Sequence, residues 1–482
     1  MMVGKRKLTV GLAALLTLSV MGWRCNDKKE ATPAPPPPPS VPVDVAFYLT
    51  KPDKSVLFSP QENSLTESTN SNLPTIEIDP STTFQTMDGF GFALTGGSAM
   101  HLYNMSAAKR HALLTELFDD NDNNIGISYL RISIGASDLD ASVFSYDDLP
   151  SGQTDVNMDH FSLAPDRQYL IPVLKEILTI NPNIKILGSP WSAPLWMKTN
   201  NNSVGGSLKP EYYDAYAKYF VKYIEGMAQE GITIDAITIQ NEPLHDGNNP
   251  SMYMPATEQA AFIKTSLGPA FKAAGIQTKI IVYDHNCDRT DYPAEIYNDA
   301  DASQYVDGAA FHLYAGSINS LAALHNSYPD KNLYFTEQWI GAPGDFPSDL
   351  KWHTRELIIG ASRNWCKTVL EWNLAANSSL EPHTDGGCSQ CLGALTIDGD
   401  NVKRNPAYYI IAHASKFVRP GSKRISSSQP GNLPNVAFKT PDGSTVLIVL
   451  NDASVTQAFN VKLGEETVCS TLAGGAVGTY IW

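Results

Sequence analysis

Positive charge is what this 482-residue chain lacks most: 35 Lys and Arg face 50 Asp and Glu, a formal balance of −15. Binding a phosphate backbone needs a basic face, so nucleic acid is excluded as a partner. Cysteine is scarce as well, six in all, and only Cys388 and Cys391 stand at Cys-x-x-Cys spacing. With no second pair at metal spacing a structural zinc is not expected; in an oxidising compartment a local disulfide that pins a loop is. Cys287, Cys366 and Cys469 read as small buried side chains. The apolar run Leu8 to Trp23 falls short of the roughly 20 residues of a membrane span. No internal repeat is present. What remains, 43% hydrophobic and 18% charged, is a globular balance with ample core.

The N-terminus is read as an export signal over residues 1–24. Lys5, Arg6 and Lys7 precede the apolar run, and Cys25 follows it directly. A Cys in that place, trailed by the polar stretch Asn26 to Glu30, resembles the lipid-attachment site of a bacterial lipoprotein. A lipid anchor at the outer membrane or cell surface is therefore expected, with periplasmic or secreted release as the alternative. Residues 25–42 are proline-rich, with Pro35 to Pro39 unbroken. Such a stretch favours polyproline II at about 3.1 Å per residue and suits a stiff tether.

From residue 81 to 417 strand-like runs alternate with helix-like ones. Candidate strands lie near Met87–Ala93, Ser128–Ile134, Ile184–Gly188, Ile234–Ile239, Lys279–Tyr283, Gly308–His312, Asn332–Thr336 and Thr368–Trp372. Between them, Ser106 is placed to cap a helix with Leu113, Leu114, Leu117 and Phe118 on one face. Tyr212–Gln229, Met254–Ala274 and Trp352–Trp365 continue the alternation. Eight repeats of strand and helix favour a (β/α)₈ barrel of the α/β class. Both ends read as strands: Val45–Leu49, Val56–Phe58 and Thr75–Ile78 before the barrel, and runs flanking the turn Pro441-Asp442-Gly443 after it. Neither end can build a sandwich alone. Residues 43–80 and 418–482 are therefore expected to pair in one all-β module fused to the barrel.

Two glutamates close strand runs. Glu242 follows Ile237-Thr238-Ile239-Gln240-Asn241 and precedes Pro243; Glu337 follows Leu333-Tyr334-Phe335-Thr336. These are strands four and seven, and barrels place catalytic groups at the C-terminal ends of strands. Hydrolysing a glycosidic bond with retention needs two carboxyls about 5–5.5 Å apart. The pair thus points to a β-glycosidase in which Glu242 can protonate the leaving oxygen and later activate water, with Glu337 as the second carboxyl across the bond. Asn241 is placed to hydrogen-bond a sugar 2-hydroxyl. Glu242 must begin protonated, so its pKa is expected above that of an ordinary glutamate. No metal or organic cofactor is called for.

Further motifs resemble glycoside hydrolase family 30, the family of lysosomal glucosylceramidase. They are Asp88-Gly89-Phe90-Gly91, Ser189-Pro190-Trp191-Ser192-Ala193-Pro194, His312-Leu313-Tyr314, Trp372-Asn373-Leu374-Ala375 and His413 through Ser422. The likeness runs in order over residues 76 to 430 and implies a barrel fused to a β-sandwich built from both chain ends. It implies Glu242 as acid/base and Glu337 as nucleophile, with Arg131 holding Glu337 ionised. Asp138, Trp191, His312, Tyr314 and Trp372 are implied around the reacting sugar. Thr95-Gly96-Gly97-Ser98 departs from the Thr-Asp of glucosylceramidases and resembles the branch of bacterial and fungal endo-β-1,6-glucanases. Trp339, two residues past Glu337, is placed as a wall on the leaving-group side. The expected function is a monomeric endo-β-1,6-glucanase acting on β-glucan. An exo-β-glucosidase, glucosylceramidase or β-xylosidase of the same family is one alternative. A non-catalytic glycan-binding lipoprotein is another.

Overall fold

The structure, a computed structural model, describes residues 44–62, 65–121 and 124–482. The expected export signal, Cys25 and the tether lie outside the described residues.

Eight parallel strands close into a barrel. They are β1 (Gly89–Ala93), β2 (Tyr129–Ser133), β3 (Lys185–Ser189), β4 (Ala236–Thr238), β5 (Lys279–Asn286), β6 (Val306–His312), β7 (Asn332–Glu337) and β8 (Cys366–Asn373). Each pairs with its neighbours in sequence, and β8 returns to β1. Outer strand faces pack on helices such as Ala107–Phe118, Leu170–Ile180 and Tyr213–Gln229. With both faces covered, the strands read as continuous apolar runs rather than alternating ones. At Gly91 a β-carbon would stand 1.9 Å from the Tyr129 carbonyl oxygen, so only glycine lets β1 and β2 approach.

Side chains alternate along a strand with period two, and this orders the barrel interior. One layer is apolar: Tyr129, Leu187, Ala236, Ile281, Ala310, Tyr334 and Leu370. Two residues further along, the same strands present Arg131, Ser189, Thr238, His312, Thr336 and Trp372, a largely polar layer at the C-terminal mouth. β5 joins this layer out of phase. Its pairing to β6 shifts register between Ala310 and Phe311, and Tyr283 and Asp284 take φ of 72° and 70°. That irregularity turns Asp284, and not Tyr283, into the barrel.

Both chain ends meet in one ten-stranded sheet. Ala46–Thr50 pairs antiparallel with Val477–Ile481, while Thr75–Thr86 lies between Lys423–Ser427 and Gln457–Leu463. Its own core includes Phe47, Ile76, Leu447, Phe459 and Tyr480. Some local expectations fail. Val56–Phe58 is not a strand: Lys54 and Phe58 take positive φ, and the extended bridge falls on Ser59–Pro60 instead. Ser106 stands at the helix start, but its side chain makes no capping bond; its amide donates to Asp400 Oδ1 at 2.8 Å. Cys469 is half-buried, on the outward phase between buried Val468 and Ser470. Cys287 and Cys366 are buried as expected.

His413 clasps the barrel's last helix, Pro406–Ser415, to the sheet. Its ring nitrogens lie 2.9 Å from Thr479 Oγ1 and 2.8 Å from Thr50 Oγ1. Thr479 Oγ1 donates to the His413 carbonyl, so it must accept from Nδ1–H; the Thr50 hydroxyl then donates to Nε2. A neutral ring satisfies every group, and burial pushes its pKa down to about 3. The unfolded chain takes up a proton below about pH 6.5, which this folded site resists. Stability is therefore expected to fall as pH drops from 6.5 toward 3. In His413→Gln thermal melts this part of the acid slope should vanish; an unchanged slope would refute the assignment.

Candidate active site

The polar layer centres on two buried charges. Arg131 donates through Nη1 to Glu337 Oε2 at 2.5 Å and through Nη2 to Asp284 Oδ2 at 2.8 Å and Asn241 Oδ1 at 2.6 Å. Its Nε reaches Ser189 Oγ at 3.2 Å. Asp284 also accepts from Ser189, Thr238 and Thr336 hydroxyls at 2.9, 2.7 and 2.7 Å. Burial raises the Asp284 carboxyl, but Arg131 and His312 overwhelm it and hold it well below the ordinary range.

His312 lies between three carboxylates. Nε2 is 3.1 Å from Asp284 Oδ1, and Nδ1 is 3.1 Å from Glu242 Oε1 and 3.8 Å from Glu337 Oε1. Burial disfavours the charged ring, yet Glu337, Asp284 and Glu242 together raise its pKa to about 9. This corrects the expectation for Glu242. Burial pushes that carboxyl up, but the His312 hydrogen bond and charge outweigh it and the net shift is downward. Burial also raises Glu337, against the pull of His312 and Arg131, and there the net shift is upward. In the resting site one proton lies along the Glu242–His312 bond, on the ring side.

Local backbone sets the two glutamates. Glu337 ends β7, one residue past the inward Thr336, and its Oε1 accepts from Tyr314 Oη at 3.0 Å. Glu242 follows β4 with φ of 45°, a region bulky residues avoid. Its amide donates to the Asp284 carbonyl at 3.0 Å, and the Asn241 amide to that of Pro190 at 2.8 Å, which hold the turn. Oxygens of Glu242 and Glu337 come within 4.8 Å of each other, with His312 in the same cluster.

Above this floor opens a cavity of about 420 Å³ lined by Asp138, Trp191, Asn241, Glu242, Tyr314, Glu337, Trp339 and Trp372. Trp191 and Trp372 stand 5.4 Å apart, with the Arg131 guanidinium 4.8 and 5.6 Å from their rings. Arg131 and His312 are fully buried beneath the cavity and act on it through the carboxylates they touch. Because Asn241 Oδ1 is taken by Arg131, its amide nitrogen is the group left for a ligand. Asp138 is buried, and desolvation, then the Glu337 charge, raise it to about 7. At Gly96 a β-carbon would stand 1.6 Å from Asp140 Oδ1, so the Asp140 carboxyl occupies the space a larger residue would need.

Other lining residues escaped the sequence reading: His245, Asn248, His285, Asn286, Cys388 and Cys391. So did Asp284, although an acid at the end of Ile280-Ile281-Val282-Tyr283 was a visible signal. The Glu242, His312 and Glu337 cluster has the spacing of metal ligands. A charged His312 has no free ring nitrogen to offer a metal, and Arg131 offsets part of the carboxylate charge, so a cation is disfavoured there.

A closed parallel barrel with paired carboxylates at its C-terminal mouth, under a tryptophan-walled cleft, has the architecture of a barrel glycosidase. The chain matches the glycosyl hydrolase family 30 TIM-barrel domain over residues 87–418 and the family's beta sandwich domain over residues 421–480. It belongs to glycosyl hydrolase family 30. It is 36% identical to the endo-1,6-beta-D-glucanase neg1 of Aspergillus fumigatus over 76% of this chain and 78% of that protein. It is 28% identical to the lysosomal acid glucosylceramidase of Mus musculus over 84% and 83% of the two chains. Among solved structures, the endo-beta1,6-glucanase BT3312 matches with a TM-score of 0.84 and 39% identity, covering 91% of this chain and 99% of that one.

Replacing Arg131 with Met leaves His312 as the remaining counter-charge against the buried Asp284 and Glu337. The expected loss is about 3–5 kcal/mol in urea unfolding; a loss under about 1 kcal/mol, the scale of an exposed pair, would contradict the buried-charge account.

Proposed function

We propose that the protein is a retaining endo-β-1,6-glucanase with Glu337 as nucleophile and Glu242 as acid/base. The observation that carries the reading is the approach of the two carboxylates to within 4.8 Å. So close an approach of the nearest oxygens favours direct attack by one carboxylate over the gap of about 6.5–9.5 Å between carboxyl groups that admits a water in inverting enzymes.

Glu337 attacks the anomeric carbon as the bond to the leaving sugar oxygen breaks, and Glu242 delivers a proton to that oxygen. Water activated by Glu242 then releases the covalent glucosyl unit. Arg131 and Tyr314 hold Glu337 aimed, and the charges of His312 and Arg131 oppose the burial that raises its carboxyl. The proton reaches Glu242 across the 3.1 Å bond from His312, as bound sugar displaces water and favours the neutral carboxyl. Asp138 and the Asn241 amide face sugar hydroxyls, Trp191 and Trp372 face the ring, and Trp339 stands toward the leaving group. The β-1,6 linkage is supported by the glucanase relatives, and by Gly96 and Asp140 leaving no room for the larger residue that glucosylceramidases place there.

We extend the reading to an exported enzyme anchored through Cys25, on the strength of the N-terminal sequence. Among the described residues no helix is long and apolar enough to cross a membrane.

Incubation with linear β-1,6-glucan should release a ladder of oligosaccharides early. Glu337→Gln should cut turnover by on the order of 10⁴-fold. Glucose as the sole early product would overturn endo action, and preference for β-1,3-glucan or glucosylceramide would overturn the linkage. The alkaline limb of kcat/KM reports loss of the shared proton. It should lie above the ordinary carboxyl range of about 4–5 and move toward acid in His312→Gln. An unmoved limb would remove His312 from the proton path.

A further inference from the structure

The rim segment from Thr384 to Leu392 touches three loops at the barrel mouth. Toward β2, the Thr384 amide donates to the Asp138 carbonyl at 2.9 Å, and the Cys388 amide to Asp138 Oδ2 at 3.2 Å. Gly387 permits this approach, since a β-carbon there would stand 2.4 Å from the Asp138 carbonyl oxygen. Toward β4, the Thr384 hydroxyl donates to the Asn249 carbonyl, and Asn249 Nδ2 to the Asp385 carbonyl at 2.7 Å. Toward β7, Cys391–Leu392 pairs antiparallel with Ile340–Gly341, three residues past Glu337, and the Ala342 amide donates to the Gln390 carbonyl at 2.8 Å.

Cys388 and Cys391 are joined by a disulfide, and both line the cavity. They pack with Trp191, Trp339 and Trp372 in a small apolar cluster. A bridge across so few residues removes little entropy from the unfolded chain, so it adds little global stability. What it does supply is local: it fixes where the Cys388 amide points. That amide is the donor facing the Asp138 carboxyl, a buried group with little water to orient it.

We propose that the Cys388–Cys391 disulfide is a positioning element of the substrate pocket, holding the Asp138 carboxyl toward the sugar hydroxyls. The identity of the sugar rests on the glucanase reading; the positioning rests on the hydrogen bond and the bridge. Reduction opens it reversibly: a small dithiol gives two electrons, the two sulfurs become thiols, and the reagent closes its own disulfide. Among the described residues this is the bridge a reductant would meet, since Cys287, Cys366 and Cys469 are free thiols.

The test is KM and kcat for linear β-1,6-glucan with oxidised, reduced and reoxidised full-length enzyme, and with the Cys388→Ser, Cys391→Ser double variant. On opening the bridge KM should rise about tenfold, the scale of one charge-assisted hydrogen bond, with kcat and melting temperature moving far less. Reoxidation should restore it. In Asp138→Ala, reduction should change KM less than about twofold, because the group it acts through is gone. An unmoved KM in the wild type, or the same rise in Asp138→Ala, overturns the proposal. Oxidised wild type with no activity on β-1,6-glucan counts against the glucanase reading alone. Hydrogen exchange then decides the positioning: the Cys388 amide must be protected when oxidised and exposed in Asp138→Ala, and an unprotected amide in oxidised wild type overturns it.

Discussion

Arg131 is a positive charge taken wholly out of water, and the mouth of the barrel is arranged around it. Transferring an ion from water to a protein interior carries an idealised cost of about 20 kcal/mol, recovered only where counter-charges and hydrogen bonds surround it. Asp284 and Glu337 give the charges, Asn241 and Ser189 the neutral acceptors, and Trp191 and Trp372 the aromatic faces. Asp284 is in turn held by hydroxyls from β3, β4 and β7 and by the ring from β6. The network therefore links five successive pairs of strands through one carboxylate. Removing either cation leaves the buried carboxylates with one counter-charge in place of two.

The same arrangement accounts for the distribution of protons. His312 faces carboxylates on both ring edges, and only a ring with both nitrogens protonated, or a proton returned by Glu242, satisfies the two contacts. In the proposed mechanism the acid and its reservoir are thus a single unit. Glu242 is free to be charged at rest and neutral when needed, without a large permanent shift of its own. Its left-handed backbone is held by the carbonyl of the same Asp284 whose side chain holds His312.

Much of this was legible in the sequence, and the reasons differ by element. Barrel strands showed as apolar runs because both faces are covered, and the glutamates showed because each ends such a run. The layer built on Asp284 was hidden. Strict alternation from Ile281 points Tyr283 inward, and only the irregular β5–β6 register, a three-dimensional fact, substitutes its neighbour. The direction of the Glu242 shift was also beyond reach, because it depends on a ring 70 positions away in the chain. Cys388 and Cys391 were read as a loop pin; that the loop reaches the Asp138 carboxyl required the fold. Val56–Phe58 has strand-like composition but takes positive φ at Phe58, whose amide answers to Thr50 Oγ1.

The pairing of Ala46–Thr50 with Val477–Ile481 has a kinetic meaning. Contacts between residues so distant in sequence are slow to form, because the loop they close must first lose its freedom. Barrel strands otherwise lie beside their sequence neighbours, and the pairing of β8 with β1 is the long-range contact that closes the barrel. The Ala46–Thr50 strand, and the neutral His413 clasp that leans on both Thr50 and Thr479, must wait for the final strand. Until then Phe47 and its apolar neighbours have no surface to cover them. Apolar strand surface left uncovered in this way invites aggregation for as long as its partner strand is missing.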